Sequence, residues 1–429
     1  MLHPVFRRER SLFVYFPIEV EDLNTMFARK LAIMVVIGVS TLSWKGPGCA
    51  LAGDPGFIRW IQEFSRDAEK EGVRRATLEE AFAGVTEPEP QVLEKARFQP
   101  EFTTEIWDYL DSRVNPLAIE KGGKMARFYA GTLASVEKRF GVEQAVLLAI
   151  WSMESNYGAI LEKPERLYYV PLALATLGYG DAKRSRFARN QLIGALKILQ
   201  AGDVDRSHLT GSWAGAMGHT QFIPTSYLAY GIDMDGNGRR DIWTSIPDAL
   251  ATAANLLNKN GWRTGLAWGY EVVLPGGGER YKEEGKTLAE WTRLGFAPPS
   301  GGNFSPSDDK AVLKLPAGPE GPAFLLTKNF FVIKKYNNAD SYALAVSLLS
   351  DRLAGHRGVV QSWPRADGSL NAEEKIEVQE RLSQRGFYTG EIDGQLGSGT
   401  KAAISSFQLQ AGLAEDGLPS RTLLQALRR

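Results

Sequence analysis

The chain is predicted to be mainly α-helical, with a small β-containing insertion and a separate C-terminal helical module. Three observations carry that expectation. Apolar residues recur at helical spacing from Gly53 to Thr264. The texture breaks into short pieces between Trp268 and Lys328. A compact, mainly helical stretch with a weak internal echo runs from Asn371 to Arg429.

The helical part opens with Phe57-Ile58, Trp60-Ile61 and Phe64, spaced to cover one face. Val142 to Trp151 is apolar nearly all round, which marks a helix buried on every side. Ile246 to Asn260 reads as another helix, with Gly261 as its C-terminal stop. In the insertion, Gly276-Gly277-Gly278, Pro298-Pro299 and Gly318-Pro319 break the chain, and Glu271–Leu274 and Ala311–Leu315 read as short strands. Helix resumes over Asp340–Leu353. His356 to Gly368, with Gly, Pro and Ser, reads as linker, with residues 356–370 dividing a unit at 53–355 from a tail domain at 371–429. In the tail, Val378-Gln379, Gly386-Phe387 and Ile392-Asp393-Gly394 are echoed by Phe407-Gln408, Gly412-Leu413 and Asp416-Gly417. That suggests a helix and turn used twice, with glycine supplying positive φ.

Bulk properties narrow the function. The chain has 429 residues, 44 % hydrophobic and 23 % charged, enough for sizeable cores. Lys plus Arg and Asp plus Glu are 50 each, so the balance is neutral and does not mark a nucleic-acid partner. One cysteine, Cys49, excludes an internal disulfide framework or thiolate zinc site. Four scattered histidines without H-E-x-x-H argue against a zinc hydrolase.

Met26 to Lys30 is a short basic start, Leu31 to Leu42 an apolar run of 12 residues, and Ala50-Leu51-Ala52 a small-residue cleavage site. Residues 1–52 therefore read as a targeting segment, with Met26 as the start and export across the inner membrane to the periplasm. The run is short for a membrane span, which leaves an anchor helix as the weaker alternative. Gly48-Cys49 keeps lipid anchoring through Cys49 open.

The chemistry concentrates in two segments. In Ala149-Ile150-Trp151-Ser152-Met153-Glu154-Ser155-Asn156-Tyr157-Gly158 a carboxylate closes an apolar helix, with Gly158 placed as its C-terminal cap. Apolar neighbours and the negative end of the helix dipole both disfavour an ionised Glu154, which suits a general acid. A structural carboxylate fits these features equally well. Gly211 to Tyr227 interleaves small, amide, hydroxyl and aromatic residues. Its Ser212, Gln221 and Tyr227 suit sugar hydroxyls and acetamides, while a tight helix-packing loop is the plainer reading.

Met153-Glu154-Ser155-Asn156-Tyr157-Gly158, followed by Gly215-Ala216-Met217-Gly218, Gln221-Phe222, Pro224 and Ser226-Tyr227, resembles the membrane-bound lytic murein transglycosylase B family. Tyr336-Asn337 with Tyr342-Ala343-Leu344-Ala345-Val346 is similar to that family's third signature, and the resemblance spans Phe57 to Leu353. It implies a lysozyme-like α fold and a lyase-type cleavage of the β-1,4 bond between N-acetylmuramic acid and N-acetylglucosamine, leaving 1,6-anhydromuramoyl ends. By motif, Glu154 matches the acid/base, and Ser212, Gln221 and Asn337 match substrate-binding positions, with Tyr336 beside them. No cofactor is implied for the chemistry. A hydrolysing muramidase on the same scaffold, or a non-catalytic wall-binding protein, are the alternatives.

Asp233-Met234-Asp235-Gly236-Asn237-Gly238-Arg239-Arg240-Asp241 places oxygen ligands as an EF-hand loop begins, with the Arg239 carbonyl at position 7 and Asp241 at position 9. Position 12 is Thr244, not Glu. The family resemblance implies that a later acid, here Asp248, completes a structural calcium site. An Asp/Gly/Asn turn that binds nothing is the alternative. The tail motifs, Asp393-Gly394 and Asp416-Gly417 among them, resemble the peptidoglycan-binding domain 1 family. Glycan strands of peptidoglycan are therefore the expected partner, held by a tethered module.

Overall fold

A computed structural model describes residues 53–97, 104–302, 304 and 308–429. The targeting segment, Met26 and Cys49 lie outside the described residues. Helices dominate. The Pro55–Lys70 helix begins with Asp54, whose carboxylate accepts from the Gly56 and Phe57 amides, and it buries Phe57, Ile61, Phe64 and Ala68 on one face.

The apolar run became the Gln144–Ser155 helix, buried without a break from Val146 to Trp151. It sits in the middle of the largest core, packed against the Pro116–Phe128 and Asp340–Leu353 helices. Nearly all-round burial is what an all-round apolar helix requires. Its end differs slightly from expectation. Asn156 takes the left-handed cap, with Tyr157 and Gly158 also at positive φ. Three consecutive left-handed residues turn the chain sharply after Glu154. Tyr168–Tyr169 pairs antiparallel with Thr210–Gly211, and this ribbon fixes the start of the glycine-rich segment.

The insertion holds a second core under a four-stranded antiparallel sheet. Gly269–Val272 and Lys310–Lys314 lie within two residues of the expected strands, and Ala323–Leu326 runs between them. Gly285–Thr287 forms the far edge. The stretch expected as linker has no helix or strand, yet it is pinned. The Val360 and Gln361 amides donate to the Glu271 carboxylate at 2.8 and 2.7 Å, and Trp363 lies 6.4 Å from Phe324, ring centre to ring centre.

The tail has three helices, Ala372–Gln384, Ser398–Gln410 and Arg421–Arg428, around its own core of Leu370, Val378, Leu382, Ile404, Phe407 and Leu424. The sequence echo has a physical basis. Gln379, fully buried, accepts from the Asp393 and Gly394 amides and donates to the Asp393 carboxylate. Gln408 repeats this on the second turn, donating to Asp416 and accepting from the Gly417 amide. Each Asp-Gly turn is held by one glutamine amide standing in for a backbone partner.

Candidate active site

Glu154 is the penultimate residue of its helix and only 5 % exposed. Tyr342, on the Asp340–Leu353 helix, donates its hydroxyl to Glu154 Oε1 at 2.5 Å. The Tyr342 ring stacks on Tyr336, 6.5 Å between centres and 12° between planes. Tyr336 in turn donates to the Thr220 carbonyl and meets Phe222 edge-on at 5.3 Å. Burial holds the Tyr336 phenol protonated well above its ordinary range, with the nearby Glu154 charge adding to the effect. Tyr109 is raised too, by burial first, and it also senses Glu154. These contacts bring the three sequence segments together: 153–158, 211–222 and 336–342.

The turn after Glu154 is built around His219. The Trp151 indole donates to His219 Nδ1 at 3.2 Å, and the Ser155 hydroxyl donates to the His219 carbonyl at 2.7 Å. Burial drives the His219 pKa down to about 4, so near pH 7 the ring is neutral. With Nδ1 accepting, its proton sits on Nε2. Gly158, at φ +90°, would drive a side chain to 2.5 Å from this imidazole. Glycine is thus required for both conformation and space.

Gln221 is 2 % exposed and sits at φ 47°, a strained setting for a residue with a side chain. Its Nε2 donates to the Gly218 carbonyl at 2.8 Å, while its buried Oε1 has no hydrogen-bond partner among the described residues. An unsatisfied buried amide oxygen costs stability, so a ligand donor fits there. Ser212 Oγ accepts from the Ala216 amide at 3.0 Å, and Asn337 Oδ1 accepts from the Ala339 amide at 3.1 Å. Both residues are more than nine-tenths buried.

Tyr227 differs from expectation. It is fully buried, its hydroxyl is spent on the Arg240 carbonyl, and its ring lies against Trp243 and under the Arg240 guanidinium. It supports the acidic loop and offers no group to a sugar. Tyr342 carries no sequence signal of its own beyond its place in the Tyr342-Ala343-Leu344-Ala345-Val346 motif.

In the acidic loop, Asp233, Asp235 and Asp248 each bring a carboxylate oxygen within 4.8 Å of the others. Asp248 is fully buried and accepts from the Met234 and Asp241 amides at 2.7 and 2.9 Å. Burial still raises its pKa. Three carboxylates this close repel one another unless a cation lies between them. Asp241 is turned to the Trp243 and Thr244 amides, and Asn237 Oδ1 accepts from the Arg239 amide. Of the four expected aspartates, the structure brings three together.

Residues 56–351 match the transglycosylase SLT domain family, and residues 371–427 match the peptidoglycan binding domain family. The chain is 28 % identical over 253 residues to membrane-bound lytic murein transglycosylase B of Escherichia coli, covering 57 % of this chain and 66 % of that protein. The structure is similar to SltB3 of Pseudomonas aeruginosa solved in complex with NAG-anhNAM-pentapeptide, with a TM-score of 0.70, 44 % identity, and coverage of 88 % of this chain and 100 % of that one. The tail alone is 46 % identical over 57 residues to a spore cortex-lytic enzyme of Bacillus cereus, covering 13 % of this chain and 22 % of that protein. By the extent of these matches, the chain belongs to the transglycosylase SLT domain family and carries a peptidoglycan binding domain at its C-terminal end.

Proposed function

We propose that this protein is a peptidoglycan lytic transglycosylase in which Glu154 is the single acid/base. The observation that carries the reading is a nearly buried carboxyl group bonded to the Tyr342 hydroxyl, whose ring stacks on Tyr336, itself held by the residues on either side of Gln221. In this reading one carboxyl serves twice, with the neutral Tyr342 hydroxyl held on its Oε1. The protonated acid gives its proton to the oxygen between the two sugars, and the bond from muramoyl C1 to that oxygen breaks. The acetamide oxygen of the muramoyl sugar stabilises the electron-poor C1 from within the substrate. Glu154, now a carboxylate, takes the proton from the C6 hydroxyl as that oxygen bonds to C1. The products are a free 4-hydroxyl and a 1,6-anhydro ring, and Glu154 ends protonated as it began.

Gln221 Oε1 would accept from a sugar hydroxyl or acetamide N–H, with Ser212, Asn337 and Tyr336 lining the same subsite. Chemistry at Glu154 requires no cofactor. Asp233, Asp235 and Asp248 fit a structural calcium ion, whose charge would offset their repulsion. With residues 1–52 as an export signal, the enzyme acts in the periplasm. Among the described residues, no helix is long and apolar enough to cross a membrane. Mass spectrometry of purified sacculi digested by the protein tests the reading. Muropeptides ending in anhydromuramic acid support it. Ends heavier by one water would make the protein a hydrolysing muramidase.

A further inference from the structure

The Ile106–Arg113 helix is eight residues long and has no side-chain N-cap. A helix this short is unstable alone and takes its position from its neighbours. On one side, Ile106, Tyr109 and the buried Leu110 pack against the main core, and the helix lies against the Asp340–Leu353 helix, whose Tyr342 holds Glu154. Asp108 and Asp111 are engaged by the tail and the segment leading into it. The Arg365 guanidinium grips both oxygens of Asp111 at 2.7 Å each. Lys375, on the first tail helix, reaches Asp111 at 2.9 Å and Asp108 at 2.7 Å. Asp111 is only 9 % exposed, so these are partly desolvated, bidentate contacts and not surface pairs.

We propose that Asp111 is a positioning residue through which the C-terminal module holds the Tyr109-bearing helix against the Glu154 site. This rests on the catalytic reading above and adds to it: the module shapes the site in addition to gripping the wall. Its fixed placement supports that role. The connecting segment is pinned on Glu271 and packed through Trp363, and Lys163 meets Glu391 of the tail at 3.0 Å. A freely swinging tether would act only by raising local concentration on an insoluble polymer. A clamp on this helix acts on any substrate, because small displacements of positioning groups cost rate.

The experiment compares the full-length wild type, Asp111→Asn, and the double variant Arg365→Gln/Lys375→Gln on a soluble peptidoglycan tetrasaccharide. Both variants are expected to lose about tenfold in kcat with KM within about twofold, because the contact orients and does not bind substrate. Hydrogen exchange is followed in parallel across residues 106–113, and about tenfold faster exchange is expected in both variants. That readout is independent of activity. A wild type that releases no anhydro product would overturn the catalytic reading and leave the exchange result to judge the clamp. Wild-type turnover of the tetrasaccharide by both variants, or unchanged exchange in this helix, would overturn the clamp. The double variant leaves the catalytic region's sequence untouched, so misfolding caused by Asp111→Asn alone cannot account for a matched loss.

Discussion

Tyr342 donates its hydroxyl to Oε1 of Glu154 across 188 residues of sequence, inside the main core. This contact joins the helix that carries the carboxyl to the helix that closes the catalytic region. Tyr342→Phe keeps the ring stacked on Tyr336 and removes only the donor. Once Glu154 has given up its proton the bond becomes charge-assisted and contributes about 1.5–3 kcal/mol, so kcat is expected to fall roughly ten- to hundredfold. Steady-state kinetics on a soluble tetrasaccharide measure it. An unchanged kcat would remove Tyr342 from the mechanism.

His219 makes stability depend on pH. Its folded value, about 4, lies below the ordinary 6.5. As pH falls through that window the unfolded chain takes the proton first, so stability is lost from pH 6.5 down to pH 4. The loss is of order 2 kcal/mol once partial exposure of the ring is allowed for. His219→Gln removes this dependence. Melting temperatures of the two proteins between pH 7 and pH 4 should therefore converge at the acidic end.

The acidic loop predicts a metal response. Calcium at a hundred times its Kd adds about 2.7 kcal/mol, which raises the midpoint of a domain this size by about 4 °C. Asp248→Asn removes one of the three converging carboxylates and should abolish that rise. A calcium response that survives in Asp248→Asn would place the ion elsewhere.

In the tail, Gln379→Leu strands the amides of Asp393 and Gly394. Losing these partners costs about 3 kcal/mol. Amide exchange in the three tail helices should accelerate while that in the Gln144–Ser155 helix does not. Equal protection in mutant and wild type would show the turn to be held by other contacts.

The long helices were legible because their apolar residues repeat at helical period. The Gln144–Ser155 helix and the Asp-rich loop carry their patterns within a dozen residues. Ala323–Leu326 was not legible. It is a central strand buried on both faces, and four continuous apolar residues show no alternation. Tyr227 misled because an amphipathic side chain reads the same whether its hydroxyl meets a sugar or a carbonyl. The Gln379 and Gln408 clamps were visible only as an echo, since their partners lie 14 and 8 residues away in loops. The Gly- and Pro-bearing stretch before the tail read as linker by composition, which says nothing of the Arg365 contact with Asp111, distant in sequence.

The most direct test is Glu154→Gln, which keeps size and hydrogen bonding but cannot release and recover a proton. Wild type and variant are compared on one soluble tetrasaccharide, with binding measured separately. Retained binding and a fall in anhydro product formation of about a thousandfold or more are expected. Turnover within about threefold of wild type would contradict it, since a loss of acid/base catalysis cannot be that small.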